Sequence, residues 1–333
     1  MKFSLIICTY KRPAALSKLL SSVKEQSLYP DEIIIVDGSP DTFTKELHLE
    51  DQFQNLLYYR VAPHERGLTK QRNFGIQKVD KTIEIVCFLD DDTVLAINYF
   101  QEIIRTYQQF PKALGVGGYI NNEVKWEHVG VNYRPKIDEF YFDEWKRKEG
   151  SRFILRKKLN LDATALPGCL PEFSHGRSIG FLPPSNKIYE VEQLMGGVSS
   201  FKKEVFETFQ FSHYFEGYGL YEDADFTLRV SKVGKLYVNT AAQLGHYHDA
   251  SGRPNQYAYG KMVVRNGWYV WRVKYPSPSI KAQLKWHIIT LLLTLVRATN
   301  VLTSVKRKEA FTETLGRIVG WFSLFLSKPK ITD

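Results

Sequence analysis

The first 120 residues contain four short apolar runs that end in polar or acidic residues, with helix-length segments around them. Residues 3–8, 33–36, 56–61 and 83–89 have strand length. Residues 14–23, 68–79 and 97–109 carry apolar side chains at helical spacing. A strand that is apolar throughout must be covered on both faces, and a parallel sheet with helices on either side does this. The pattern therefore predicts an α/β fold with a mostly parallel central sheet flanked by helices. In such sheets a ligand lies beyond the carboxyl ends of the strands. Those ends carry Thr9-Tyr10-Lys11-Arg12, Asp37-Gly38-Ser39 and Asp90-Asp91-Asp92.

A chain of 333 residues buries about three quarters of its unfolded surface, so it needs no covalent staples. The three cysteines, an odd number, argue against a disulfide framework, and Cys8 and Cys87 lie in apolar runs as reduced core thiols. The first apolar run is broken at once by residues 9–13, unlike a secretory signal, so a cytoplasmic protein is expected.

Beyond residue 120 the pattern loosens. Residues 121–193 are aromatic and charged, contain four prolines between 167 and 184, and read as an irregular insertion over the sheet. A strand is expected at 194–201, a helix from Lys202, a helix at 223–232 stopped by Gly234, and a strand at 236–238. The net charge of +9 lies in the tail. Residues 261–333 hold thirteen Lys or Arg against three acids, while residues 1–260 sum to −1. Two apolar stretches there, 286–296 and 318–326, fall short of the roughly 18–20 residues that span a bilayer. With Lys281, Lys285, Arg297, Lys306, Lys308, Arg317 and Lys328 around them, they read as interfacial helices on an anionic leaflet. Amphipathic helices packed on the protein's own core are the alternative.

Asp90-Asp91-Asp92 sets three carboxylates at the end of a buried strand. Adjacent acids repel, and a nearby cation relieves the repulsion. Oxygen ligands of this kind suit Mg2+ or Mn2+, which keep coordination positions open for substrate phosphates.

With this triplet in place, the chain resembles the family 2 glycosyltransferases with the GT-A fold. The resemblance rests on five motifs in order: Ile7-Cys8-Thr9-Tyr10-Lys11-Arg12; Val36-Asp37-Gly38-Ser39; residues 67–75 with Arg72, Asn73 and Gly75; the triplet; and Gly217-Tyr218-Gly219-Leu220-Tyr221-Glu222-Asp223 with Arg229. It implies a GT-A nucleotide-diphospho-sugar transferase domain over residues 1–250, with a nucleotide-binding half at 1–120 and an acceptor half at 121–250. A basic amphipathic helical tail would follow at 251–333. The implied reaction moves a sugar, with inversion, from a nucleotide-diphosphate donor to a hydroxyl of a glycan or lipid-linked acceptor, as in surface-polysaccharide assembly. Mn2+ or Mg2+ would assist, and a uridine donor is favoured.

Carried over by position, Thr9, Arg12 and Asp37 would line the nucleoside pocket, and Arg72 would lie over the base or phosphates. Asp90 would face the ribose, Asp91 the sugar and Asp92 the metal. Asp223 would be the general base, with Glu222 its rival. His246 would complete the metal site, with His248 as the other candidate, and Gly196 and Gly197 would lie beneath the acceptor. Gln71 departs from the small residue common there. Together with the basic tail, these implications place the protein peripherally on the cytosolic face of a membrane.

Other readings explain less. A haloacid-dehalogenase-like phosphatase could use Asp90 and Asp92, but its motif belongs after the first strand. A non-enzymatic membrane or nucleic-acid binder would fit the net charge, yet the charge is confined to the tail, and no nucleic-acid partner is expected. A dehydrogenase needs glycines after the first strand, where residues 9–13 have none.

Overall fold

The computed structural model describes residues 1–247 and 255–331. Two compact units form: Met1–Lys125 with Ile179–Gly252, and Trp126–Ser178 with Arg253–Asp333. In chain order the first segment gives β1 (Phe3–Thr9), α1 (Pro13–Lys24), β2 (Glu32–Asp37), α2 (Leu49–Gln52), β3 (Leu56–Arg60), α3 (Leu68–Lys78), β4 (Ile85–Asp90), β5 (Thr93–Leu95), α4 (Tyr99–Gln109) and β6 (Ala113–Ile120). The second unit then begins with β7 (Glu127–His128), β8 (Glu139–Phe142), β9 (Trp145–Lys148) and α5 (Ser151–Lys158). The chain returns to the first unit for β10 (Ile188–Val191), β11 (Val198–Lys202), α6 (Val205–Thr208), α7 (Glu222–Ser231) and β12 (Lys235–His246). It ends in the second with α8 (Gln256–Lys274), α9 (Ile280–Thr303) and α10 (Arg307–Leu326).

The sheet of the first unit runs β10-β12-β6-β11-β4-β1-β2-β3, with β5 paired to β12. The four predicted strands form its parallel half, β3-β2-β1-β4. Every residue of β2 is buried, and β1 and β4 each leave one residue partly exposed, as strands covered on both faces require. Helix α1 starts at Pro13, whose missing N–H costs nothing in a first turn, and buries Leu16, Leu19, Leu20 and Val23. Helix α3 differs, because its buried face is Thr69, Gln71, Arg72 and Gly75. A Cβ on Gly75 would meet Ile6 Cγ2 at 2.8 Å, so the helix lies close against the strands and delivers polar groups to their ends.

The structure corrects several expectations. Residues 113–120 form a central strand that the sequence pattern hides, because Gly115, Gly117 and Gly118 interrupt its apolar run. Each gives way to a neighbour: a Cβ there would meet Phe201 at 2.8 Å, Leu194 at 3.0 Å and Tyr99 at 2.5 Å. The strand expected at 236–238 runs on to His246, with a register shift between Val238 and Gln243. The helix expected from Lys202 is only the short α6. Residues 121–193 are no single irregular insertion: 179–193 carry β10 within the first unit, and 126–178 belong to the second.

The second unit has its own small sheet, β7-β9-β8, and an ion network. Buried Arg177 donates to Glu149 at 2.9 and 3.0 Å and to Asp162 at 2.6 Å, with its guanidinium 4.6 Å from the Phe140 ring. Trp271 of α8 stacks on Trp286 of α9, ring centroids 5.2 Å apart, and donates to the Glu172 carbonyl at 2.7 Å. Helices α8 and α10 touch backbone to backbone, since a Cβ on Gly316 would lie 2.1 Å from the Tyr257 carbonyl oxygen. The apolar stretch read as 286–296 is part of a 24-residue helix. Arg297, taken as its end, lies inside α9 and pairs with Glu313 of α10 at 2.7 Å. By length and composition α9 could cross a membrane, so the expectation that neither stretch reaches spanning length is corrected.

Candidate active site

The residues predicted for the site converge on the carboxyl ends of β1, β2 and β4 and on the start of α7, all within the first unit. Asp37 ends β2 fully buried. Its carboxylate accepts from the Ser39 N–H at 2.7 Å and the Tyr58 hydroxyl at 2.6 Å. Burial and this carboxylate push the Tyr58 phenol up. Gln71, the departure from the small residue, clasps the strand ends: its Nε2 donates to the carbonyls of Thr9 at 3.2 Å and Val36 at 2.8 Å. A larger residue is therefore accommodated by bonding rather than by space.

The triplet is held from β1 and the loop after it. Thr9 Oγ1 donates to Asp91 at 2.7 Å, and Arg12 Nη1 donates to Asp91 at 3.1 Å and Asp92 at 3.3 Å. Burial pushes Asp91 up to about 6, opposed by the Thr9 hydroxyl and the Arg12 charge. Directly after the triplet, β5 pairs with the far end of β12, setting Thr93 opposite His246. This pairing places His246 Nε2 3.1 Å from Asp92. Its Nδ1 lies 3.2 Å from Glu123, and Asn122 bonds both the N–H and the carbonyl of His246, at 2.9 and 3.0 Å. Hydrogen bonds to Asp92 and Glu123 raise the imidazole to about 10.

Asp90, Asp92 and His246 offer ligand atoms that all lie within 4.8 Å of one another. Two carboxylates and an imidazole converging so closely fit a divalent cation such as Mn2+ or Mg2+. The geometry thus adds Asp90, read as a ribose contact, to the candidate ligands Asp92 and His246. His248 lies outside the described residues.

The second acidic pair opens α7. Gly217, Gly219 and Tyr221 adopt positive φ and turn the chain into a helix whose first turn holds Glu222, Asp223 and Asp225, where the helix dipole favours acids. Arg72, buried on α3, bonds Glu222 at 2.5 Å and lies 3.6 Å from Asp90. Its guanidinium also faces the rings of Phe211 at 5.2 Å and Phe88 at 5.8 Å. Burial raises Glu222 to about 8 against the pull of Arg72. Asp223 is only half-buried and accepts backbone N–H groups, Gly196 at 3.1 Å and Ala224 at 2.7 Å. Burial raises it as well. Asp225 is tied to Arg229 at 2.8 Å. The two glycines make room for this arrangement: a Cβ on Gly196 would lie 2.6 Å from Arg72, and one on Gly197 would lie 2.0 Å from Asp90 Cγ.

Nine of the ten predicted site residues are joined through short contacts or shared strand register, and Asp223, next to Glu222, is tied to the Gly196 backbone. Sequence reasoning missed Tyr58, Asn122 and Glu123, and it read Gln71 only as a departure. Asn122 and Glu123 carry no motif; the pairing of β6 with the far end of β12, Ile120 opposite Leu244, brings them to His246. Among the described residues Cys8, Cys87 and Cys169 form no disulfide, and burial pushes the Cys8 thiol up to about 12.

A family profile described as glycosyl transferase family 2 matches residues 4–171, half of the chain. The chain belongs to glycosyl transferase family 2. Its relatives include the glucosyl-dolichyl phosphate glucuronosyltransferase of Haloferax volcanii, 29% identical over 147 residues, or 43% of this chain and 44% of that one. The O-antigen chain rhamnosyltransferase of Salmonella typhimurium is 29% identical over 97 residues, 29% of this chain and 30% of its own. The GalNAc(5)-diNAcBac-PP-undecaprenol beta-1,3-glucosyltransferase of Campylobacter jejuni is 29% identical over 96 residues, 28% of this chain and 30% of its own. Each alignment spans less than half of the relative's length. The fold is GT-A. GalNAc-T7, solved with UDP, GalNAc and Mn2+, aligns with a TM-score of 0.51 at 17% identity, over 79% of this chain and 48% of that one. S. aureus TarS 1–349 in complex with UDP aligns with a TM-score of 0.51 at 16% identity, over 93% and 77%.

Proposed function

We propose that this family 2 chain is a metal-dependent, inverting glycosyltransferase that moves a sugar from a nucleotide-diphosphate donor, favoured as a uridine one, to a hydroxyl of a glycan or lipid-linked acceptor. It would work peripherally on the cytosolic face of a membrane through its tail. The observation that carries the reading is the pairing of the Asp90, Asp92 and His246 cluster with a separate, half-buried carboxylate, Asp223, at the start of α7. The Haloferax and Campylobacter relatives are named for lipid-linked substrates, GalNAc-T7 was solved with UDP and Mn2+, and TarS with UDP.

Thr9, Arg12, Asp37 and Arg72 are the donor-binding candidates, with Arg12 and Arg72 bringing positive charge to where phosphates would lie. Asp90, Asp92 and His246 would hold the divalent cation, which when bound offsets the charge of the departing nucleoside diphosphate. Asp91, anchored by Thr9 and Arg12, faces the donor sugar. Asp223 accepts the proton of the acceptor hydroxyl as that oxygen attacks the anomeric carbon. Its two backbone hydrogen bonds fix the carboxylate, and burial raises its basicity. Glu222 is engaged with Arg72 and serves to orient that guanidinium. The acceptor oxygen enters from the face opposite the leaving group, which gives inversion.

Thermal stability measured with UDP, GDP, dTDP or CMP, each with and without Mn2+ or Mg2+, tests this. A ligand at 100 times its dissociation constant stabilises by about 2.7 kcal/mol. A metal-dependent shift with one nucleotide, lost in Asp92→Asn, is the expected result. A folded protein that shifts with none of them overturns the reading.

A further inference from the structure

The exposed apolar side chains are unevenly distributed. Among the described residues, fifteen of the twenty-nine exposed large hydrophobics fall between Ile280 and Ile331. On α9 they form one stripe at helical spacing, Ile280, Leu284, Ile288, Leu291 and Leu295, with Leu284 59% and Leu295 64% exposed. The opposite face, with Trp286, Ile289, Thr290 and Thr294, is buried within the second unit. Helix α10 extends the stripe: Phe325 stacks on His287 of α9 at 5.9 Å, and Trp321 Nε1 donates to His287 Nδ1 at 3.0 Å. Exposed Phe322 and Phe325 thereby join it.

Beside the first turns of α9 runs an open groove of about 880 Å³, whose apolar lining includes Leu161, Phe173, Leu284 and Ile288. Lys281 and Lys285, one turn apart, line it too. The Lys285 ammonium lies 3.9 Å from the centre of the Phe173 ring and donates to the Asp162 carbonyl at 3.2 Å.

We propose that this groove and stripe form an anionic-lipid seat, with Lys281 and Lys285 taking headgroup phosphate while Leu284, Ile288, Leu291 and Leu295 enter the acyl boundary. The proposal rests on the peripheral placement above and names the face responsible. Charge selects the occupant. Residues 250–308 contain no acid, so a second copy on the stripe would bring two like-charged surfaces together, whereas an anionic leaflet neutralises them. One-sided burial selects the orientation. Protein buries one face of α9, through Ala282, Trp286, Ile289, Thr290 and Thr294, so the helix lies in the interface plane rather than crossing it, despite its sufficient length.

The test is flotation of the full chain with vesicles of phosphatidylcholine alone or mixed with phosphatidylglycerol. The wild type is expected to float with the anionic vesicles. Lys281→Glu/Lys285→Glu and Leu284→Glu/Ile288→Glu each reduce partitioning by about tenfold or more, with the nucleotide-dependent thermal shift unchanged. A wild type that ignores anionic vesicles, or variants that float as the wild type does, overturns the seat. So does a wild-type dimer that Leu284→Glu dissociates, since a second copy would then be the occupant. Absence of any nucleotide shift alongside intact flotation would overturn the transferase reading and leave the seat standing.

Discussion

Burial raises both Glu222 and Asp223, but only Glu222 is bonded to a cation, so the two adjacent acids make separable predictions. Asp223→Asn keeps the shape and removes the proton acceptor; transfer should fall by about 10²–10⁴ while nucleotide binding, read by thermal shift, stays within error. A parallel loss of binding would assign Asp223 to the donor instead. Glu222→Gln should act on stability. A carboxyl whose folded pKa is raised binds its proton more tightly when folded, so its stabilising contribution is full below the ordinary value of 4.5 and fades as pH rises through about 8. The Tm of the wild type should therefore decline relative to Glu222→Gln between those limits, and parallel curves would refute the assignment. Glu123 supplies a third case. By accepting from His246 Nδ1 it leaves Nε2 free to face Asp92, the carboxylate–histidine arrangement whose loss costs about 10–100-fold in metal affinity. Titrating Mn2+ into donor-free Glu123→Ala checks this, and an unchanged affinity would reduce Glu123 to a surface contact. The Asp90–Asp92 cluster was legible because three acids after an apolar run are conspicuous. Glu123 was not, because 123 residues separate it from His246 and only folding pairs them.

Elements explain why the parallel half of the sheet was legible and the other half was not. Strands β1, β2 and β4 are continuous apolar runs, so composition alone announces them. In β6, glycine replaces apolar side chains wherever Phe201, Leu194 or Tyr99 presses against the strand, and the periodic signal disappears for the same reason that the strand packs well. Helix α3 hides its role differently, because its buried face is polar and clasps the strand ends through Gln71. Glycine also controls the site at this scale. Gly197 lies on the turn into β11, and its carbonyl accepts the Asp90 N–H at 3.1 Å, so neither backbone can retreat from an added methyl 2.0 Å from the Asp90 carboxyl carbon. Gly197→Ala should cost about 1–3 kcal/mol of stability and, by displacing Asp90, abolish the metal-dependent part of the nucleotide shift. Retention of that metal dependence would remove Asp90 from the cation site.

At the scale of the whole molecule, the sequence division at residue 250 and the compact units differ because residues 126–178 pack with the helices that follow residue 255, through contacts such as Trp271 to Glu172 and Lys285 to Asp162. Partners about a hundred residues apart leave no local trace. Charge, in contrast, is legible from sequence alone: residues 261–333 carry +10 and residues 1–260 carry −1. That imbalance predicts how salt acts. Screening shortens the reach of charge from about 10 Å at 0.1 M to about 3 Å at 1 M, so attraction of the tail to an anionic leaflet should weaken steeply across that range. Apolar insertion by the α9 stripe does not depend on charge, and a residual affinity should persist in the wild type. The Leu284→Glu/Ile288→Glu variant lacks the residual part and should detach completely at high salt, while Lys281→Glu/Lys285→Glu should show a shallower salt slope from a lower starting point. Nucleotide binding as proposed would use buried groups of the near-neutral body and should change less than vesicle binding over the same series. Flotation across a salt gradient, run beside a nucleotide thermal shift in the same buffers, separates these contributions. Vesicle binding that ignores salt would mean that insertion alone holds the protein to lipid and that the lysines beside the groove contribute nothing to it.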